Sequence, residues 1–256
     1  MLNFENIGTH ISSINGGSYD KHKIYLAIDE DDQAKVKKGF QKLNLKKVGG
    51  KFEIVPNEDA EREIGYICGQ SGSGKSYFVS MYVDKYKKRF KKNKIYLFSE
   101  VHDDEKLNKF HPIKIKLDSE LINDELDYKD FDNALVIFDD VDAIKDKKIK
   151  DEVYKILNSI LKMGRHTNTS VLITNHNASE REKTKNIFCE SHFICYFPFG
   201  GSQKQLKYML ESHADLDKKD IAYNKTLKSR WVCVKKNYPT HTITEKEIYM
   251  NNSNDE

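Results

Sequence analysis

The chain has 256 residues, of which 38% are hydrophobic and 32% charged, and its 43 basic against 40 acidic side chains leave a net charge of only +3. That length and apolar content suit one domain with additions, and so mixed a charge excludes a disordered polyelectrolyte and gives no bulk argument for a phosphate-rich partner. No apolar run approaches the roughly 18 residues of a membrane span, and the start, MLNFENIGTHISS, lacks a basic segment followed by an apolar one, so neither secretion nor membrane insertion is expected.

Residues 1–20 are polar, carry Gly16 and Gly17, show no period and read as a loose arm. Lys23 to Asp29 (KIYLAID) reads as a strand, residues 31–43 as a weak helix, and Phe52 to Val55 as a second strand after the Gly49-Gly50 turn. Residues 1–60 are therefore expected to form an N-terminal arm and a small αβ cap, with residues 61–256 as the main domain. There, Ile64 to Cys68 reads as a strand that opens into GQSGSGKS, and Ser76 to Phe90 as a helix with Phe78, Tyr82 and Tyr86 spaced by four. Lys94 to Phe98 is a further strand, Ile113 to Leu117 a short one, and Ala134 to Phe138 (ALVIF) a strand buried on both faces. Lys150 to Met163 is an amphipathic helix stopped by Gly164, followed by strands at Ser170 to Thr174 and His192 to Phe197. A helix at Gln203 to Ser212 precedes a hairpin of WVCVKK against THTITEKEIY, turned at Asn237–Pro239. Strands alternating with helices imply an α/β fold whose sheet is mostly parallel, with crossover helices on its faces.

Gly69-Gln70-Ser71-Gly72-Ser73-Gly74-Lys75-Ser76 fits the phosphate-loop pattern G-x-x-x-x-G-K-[ST], in the strand-to-helix context that gives the pattern meaning. Gly72 and Gly74 let the backbone curl so that successive N–H groups face an anion, and the helix beginning at Lys75 adds its positive end. Lys75 is expected at the outer phosphates and the Ser76 hydroxyl on Mg²⁺. Asp139-Asp140 at the end of ALVIF matches a Walker B strand, with Asp139 holding the metal and Asp140, helped by Asp142, orienting or deprotonating the attacking water. Neither a guanine-reading N-K-x-D element nor a lid rich in arginines is present, since the arginines number five: Arg62, Arg89, Arg165, Arg181 and Arg230. The remaining class places an extra strand between the loop strand and the Walker B strand. SVLIT followed by Asn175 supplies that strand and a polar sensor for the γ-phosphate.

The four cysteines (Cys68, Cys189, Cys195, Cys233) include no CxxC pair, and Cys189, His192 and Cys195 lack the fourth ligand of a closed zinc site, so a reduced intracellular protein is expected. His102 and His111 read as ordinary surface or turn residues. Two lysine-rich runs, Lys85 to Lys94 and Lys145 to Lys150, could touch nucleic-acid phosphates or simply be solvated faces.

The stretch Leu161 to Ser179, LKMGRHTNTSVLITNHNAS, resembles the segment of FtsK–HerA DNA-pumping ATPases in which a Gly-Arg pair precedes a strand ending in a polar sensor. With GQSGSGKS and ALVIFDD it makes residues 60 to 250 similar to the poxvirus-type genome-packaging ATPases of large DNA viruses. One departure is Asn175, where that family often has Gln. The resemblance implies a RecA/ASCE-like P-loop fold, ATP and Mg²⁺ as ligands, and Arg165 entering the site of a neighbouring subunit. It also implies a homo-oligomeric ring on double-stranded DNA, gripped without reading bases, docked by a capsid protein at a viral assembly site in the host cytoplasm. A DNA-processing or DNA-transfer ATPase of the same superfamily, or a nucleotide-gated scaffold that moves nothing, are the alternatives.

Overall fold

The computed structural model describes residues 1–101, 104–179 and 182–251, so His102 and Arg181 lie outside the described residues. The chain opens with strands β1 (Leu2–Asn3), β2 (Thr9–Asn15) and β3 (Lys23–Leu26), helix α1 (Glu30–Lys35), and strands β4 (Lys42–Asn44) and β5 (Lys51–Ile54). It continues through β6 (Ile64–Cys68), α2 (Lys75–Arg89), β7 (Lys94–Phe98), α3 (Glu105–Asn108), β8 (Ile113–Ile115), α4 (Glu120–Asn123) and β9 (Ala134–Phe138). Next come α5 (Lys147–Met163), β10 (Ser170–Asn175), α6 (Glu182–Glu190), β11 (Phe193–Tyr196), α7 (Gln203–His213) and α8 (Lys218–Thr226). The last strands are β12 (Val232–Lys235), β13 (His241–Thr244) and β14 (Glu247–Met250).

A ten-stranded sheet runs β4-β14-β13-β12-β11-β6-β10-β9-β7-β8. From β11 to β8 every pairing is parallel, and from β12 outward every pairing is antiparallel. This is the mixed α/β fold of P-loop ATPases, with β10 lying between the loop strand β6 and the acidic strand β9 as expected. Strands β6, β9 and β10 are buried along their whole length, which is why they read as unbroken apolar runs. On one face α2 packs Phe78, Val79, Tyr82, Val83 and Tyr86 inward; on the other α5 contributes Val153, Ile156, Leu157, Ile160 and Leu161. Asp146 caps α5, its carboxylate accepting from the Lys148 and Ile149 N–H groups. Among the described residues no helix is long and apolar enough to cross a membrane.

The ends of the chain depart from the sequence expectation. Residues 1–20 are not a loose arm: β1 and β2 join β3 and β5 in a second, four-stranded antiparallel sheet that buries Leu2, Ile11 and Ile14. A register shift between His10 and Ser12 breaks the period-two pattern that would have announced it. The helix expected over 31–43 stops at Lys35, and Leu43 is buried in β4 against β14. The run THTITEKEIY is two strands, folded where the Thr244 hydroxyl accepts from the Lys246 and Glu247 N–H groups.

Glu63, at the entry to β6, is buried against Lys235 of β12, and the Tyr82 hydroxyl of α2 donates to its second oxygen at 2.7 Å. Burial works to raise this carboxyl, but the Lys235 charge and the hydrogen bonds outweigh it and hold it below the usual range. Stripping one partner from a buried pair strands the other charge, at a cost of about 3–5 kcal/mol. Glu63→Ala is expected to lower the unfolding free energy in urea by that order, and Glu63→Met with Lys235→Met to recover most of it. An additive double mutant would contradict the pairing.

Candidate active site

The carboxyl ends of parallel strands collect the loops that follow them, and here the loops after β6, β9 and β10 meet at one edge. After β6 the chain turns through residues 69–74 into α2. Gly72 (φ 76°) and Gly74 (φ 115°) occupy the left-handed region that a side chain disfavours, and the space where a Gly72 Cβ would sit is open for 4 Å around. Gln70 leans away from the cradle and its Oε1 accepts from the Gly201 N–H at 3.3 Å. Ser73 Oγ is buried with no hydrogen-bond partner among the described residues.

Lys75 is the first residue of α2 and is buried. Its ammonium donates to the Gly69 carbonyl at 2.9 Å and lies 3.3 Å from Asp140 Oδ1, which joins the loop to the end of β9. Asp139, immediately before, is buried as well. Its Oδ1 accepts from the Thr174 hydroxyl at 2.8 Å and its Oδ2 from Ser99 at 3.3 Å. Burial, and then the neighbouring Asp140 charge, push the Asp139 carboxyl up against the pull of those two hydroxyls. Asp140 itself takes a left-handed backbone (φ 48°, ψ 39°), which Asp tolerates better than most residues, and its N–H donates to Thr174 Oγ1 at 2.8 Å.

Sequence reading missed Thr174 and named its neighbour Asn175. Leu172 of β10 packs on the α2 face, and side chains alternate along a strand, so Thr174 shares that face and meets the aspartates. Asn175 faces the other way. It is fully buried, its amide donates to the Tyr66 hydroxyl at 3.3 Å, and its Oδ1 has no partner among the described residues. Its backbone nonetheless serves the loop: the Asn175 carbonyl accepts from Gly69 N–H at 3.1 Å. His176, also missed, lies 3.4 Å from Asp140 Oδ2 through Nε2, and its backbone N–H donates to Asp142 Oδ2 at 3.0 Å. Asp140, Asp142 and His176 offer ligand atoms within 4.8 Å of one another.

Arg165 is not brought to this edge. It follows the C-terminal end of α5, a helix of 17 residues and therefore about 25 Å long. Its exposed side chain pairs with Glu61 at 2.6 Å, on the edge of the sheet where β6 and β10 begin. Within the lysine-rich runs, Lys85 pairs with Glu53, Arg89 with Glu58 and Lys88 with Asp84, and Lys150 donates to the Asp142 carbonyl.

The chain is 37% identical over 250 residues to the uncharacterized protein V3 of the Sputnik virophage, covering 96% of this chain and 98% of that one. No family model matches it. The cytoplasmic domain of the type VII secretion ATPase EccC from Thermomonospora curvata has the same fold, with a TM-score of 0.53 at 11% identity over 82% of this chain and 29% of that chain. The DNA-packaging ATPase B204 of Sulfolobus turreted icosahedral virus gives a TM-score of 0.48 at 14% identity, over 72% of this chain and 97% of that chain.

A carboxyl raised by its surroundings opposes folding once it is ionised, so its contribution is retained at low pH and lost as pH rises through the folded value. Asp139→Asn keeps an acceptor for Thr174 and removes the crowded charge. The ligand-free variant is expected to melt at a higher temperature than the parent at pH 7, with the gap closing toward pH 4; scanning calorimetry across that range checks it.

Proposed function

The chain belongs to the same family as protein V3 of the Sputnik virophage, and from the site geometry we propose that it is a Mg²⁺-dependent ATPase motor that moves double-stranded DNA, its task being to package a viral genome. One observation carries the reading: the Lys75 ammonium bridges the phosphate-loop carbonyl of Gly69 and the acid at the tip of β9. A loop of this sequence beside an acidic strand end, with one strand between them, suits ATP hydrolysis better than any other chemistry on this fold.

The residues fit the ligands this reading requires. The cradle at Gly72 is open, Ser73 Oγ is buried and unpartnered among the described residues, and Asp139 carries a carboxyl crowded by a like charge. Residues 69–74 would supply backbone N–H groups to the phosphates, and Lys75 would exchange Asp140 for the outer phosphates. Ser76 and Asp139 would hold Mg²⁺, which when bound neutralises charge building on the transferred phosphoryl group. Asp140, freed of Lys75, accepts a proton from the attacking water, while Thr174 reports the state of both aspartates to β10. Arg165 of a neighbouring copy is assigned to the transition-state charge, which agrees with its exposed place far from its own site.

DNA as the cargo rests on the resemblance of GQSGSGKS, ALVIFDD and the Gly164-Arg165 segment to DNA-pumping ATPases. The ring, the capsid docking and a viral assembly site in the host cytoplasm follow from the same resemblance.

Steady-state ATPase assays with and without linear duplex test the motor. Turnover is expected to rise with duplex and to vanish in Lys75→Ala, whereas turnover indifferent to DNA would point to a scaffold. Arg165→Ala is expected to bind ATP as the parent does while turnover falls by roughly 10³-fold or more. Equal loss of binding and turnover would remove the trans assignment.

A further inference from the structure

Of the described arginines, Arg230 sits beside the phosphate loop in the same chain. It lies between α8 and β12, in a segment fixed from both sides. Its own N–H donates to Glu245 Oε2 at 2.9 Å, the Ser229 hydroxyl donates to the Trp231 carbonyl at 2.7 Å, and Trp231 is buried edge-on against Phe78 of α2 with ring centroids 5.1 Å apart. From that fixed root the side chain runs along the turn into α2, where a Cβ on Gly74 would come within 3.3 Å of Arg230 Cδ. The guanidinium carbon is 6.0 Å from the ring centre of Tyr77, itself 44% exposed. Among the described residues the guanidinium has no ion pair and no hydrogen bond. A cation at the start of a helix is also electrostatically out of place, since that end carries the positive pole and Lys75 is already there. Arg230 is therefore an exposed cation on a rooted segment, resting against Tyr77 and close enough to Glu245 for its charge to help hold that carboxyl down, with the guanidinium's hydrogen-bond donors still available.

The sheet order says which part of a nucleotide would arrive. The strands run β12-β11-β6-β10-β9, with the loop above β6. Lys75 reaches toward β9, where the aspartates gather, so that flank takes the terminal phosphate. Arg230 stands on the opposite flank, at the start of β12, where the nucleoside end must emerge.

Resting on the proposed reading of this site as an ATPase centre, we infer that Arg230, propped on Tyr77, is the residue that receives the nucleoside, its flat guanidinium stacking on the base. Arginine suits this because its planar, weakly hydrated head packs face-on against rings, as a lysine ammonium does not. Arg230 is thus a positioning residue for the substrate, distinct from Arg165 in place and in role.

Equilibrium binding of ATP, ADP and inorganic tripolyphosphate by calorimetry, on the parent chain, Arg230→Ala, Arg230→Lys and Lys75→Ala, tests the inference. Arg230→Ala is expected to weaken ATP and ADP about tenfold, the order of one lost base-stacking contact, and to leave tripolyphosphate unchanged. Arg230→Lys, which keeps the charge and loses the plane, is expected to behave as Arg230→Ala does. The inference is overturned by unchanged ATP affinity in Arg230→Ala, or by a matching loss of tripolyphosphate that Arg230→Lys restores. A parent chain that binds no ATP, or a Lys75→Ala variant that binds it equally well, would overturn the ATPase reading itself.

Discussion

A buried ammonium held between a backbone carbonyl and a carboxylate organises this molecule. Lys75 cannot leave water cheaply, and its two contacts, the Gly69 carbonyl and Asp140, are what offset the cost of burying it. Those contacts tie a loop after β6 to a strand end two places away in the sheet, across β10. Carboxylates then crowd in little space around one ammonium: Asp139 and Asp140, with Asp142 and His176 beside Asp140. The crowding of like charges in a half-dry cleft is visible in the Asp139 carboxyl, which burial and the neighbouring Asp140 charge push up. Thr174 holds the two acids in register by bonding to both, with its hydroxyl 2.8 Å from Asp139 Oδ1 and 3.1 Å from Asp140 Oδ1.

Helix α2 connects this cleft to the four-stranded N-terminal sheet. Its first turn carries Lys75 and Ser76, and its last two turns carry Lys85 and Arg89, which pair with Glu53 on β5 and Glu58 just beyond it. Fifteen residues of helix span about 22 Å, so one rigid rod has the glycine-rich loop at its positive end and the added sheet at its other. The basic side chains are well placed there for a second reason, because cations stabilise a helix C-terminus. The buried Glu63–Lys235 pair works in parallel, fastening the start of the loop strand to the antiparallel extension.

The centre of the sheet was legible because its signals are strong and local. Strands buried on both faces read as apolar runs, helices α2 and α5 carry a clear period, and eight residues in a row fit one loop pattern. The extra strand between the loop strand and the acidic strand followed from those motifs together with the absence of an N-K-x-D element and of an arginine-rich lid. What escaped the sequence depends on which way a side chain points. SVLIT is apolar on both faces, so nothing in it says whether Thr174 or Asn175 turns toward the aspartates; the pairing of β10 with β6 and β9 decides it. His176 and Arg230 escaped for the same reason, since each becomes notable only through what the fold sets beside it. The N-terminal strands are short, polar-edged and irregular in register, and they form because the sheet as a whole buries Leu2, Ile14, Ile24, Phe52 and Ile54.

The most direct measurement is a crystal structure with Mg²⁺ and a non-hydrolysable ATP analogue, reading the distance from Lys75 Nζ to Asp140. Nζ is expected to leave Asp140 and the Gly69 carbonyl for the outer phosphates, with the triphosphate lying along the N–H groups of residues 69–76 and the metal beside Ser76 and Asp139. A triphosphate bound elsewhere while Lys75 keeps its bond to Asp140 would contradict that.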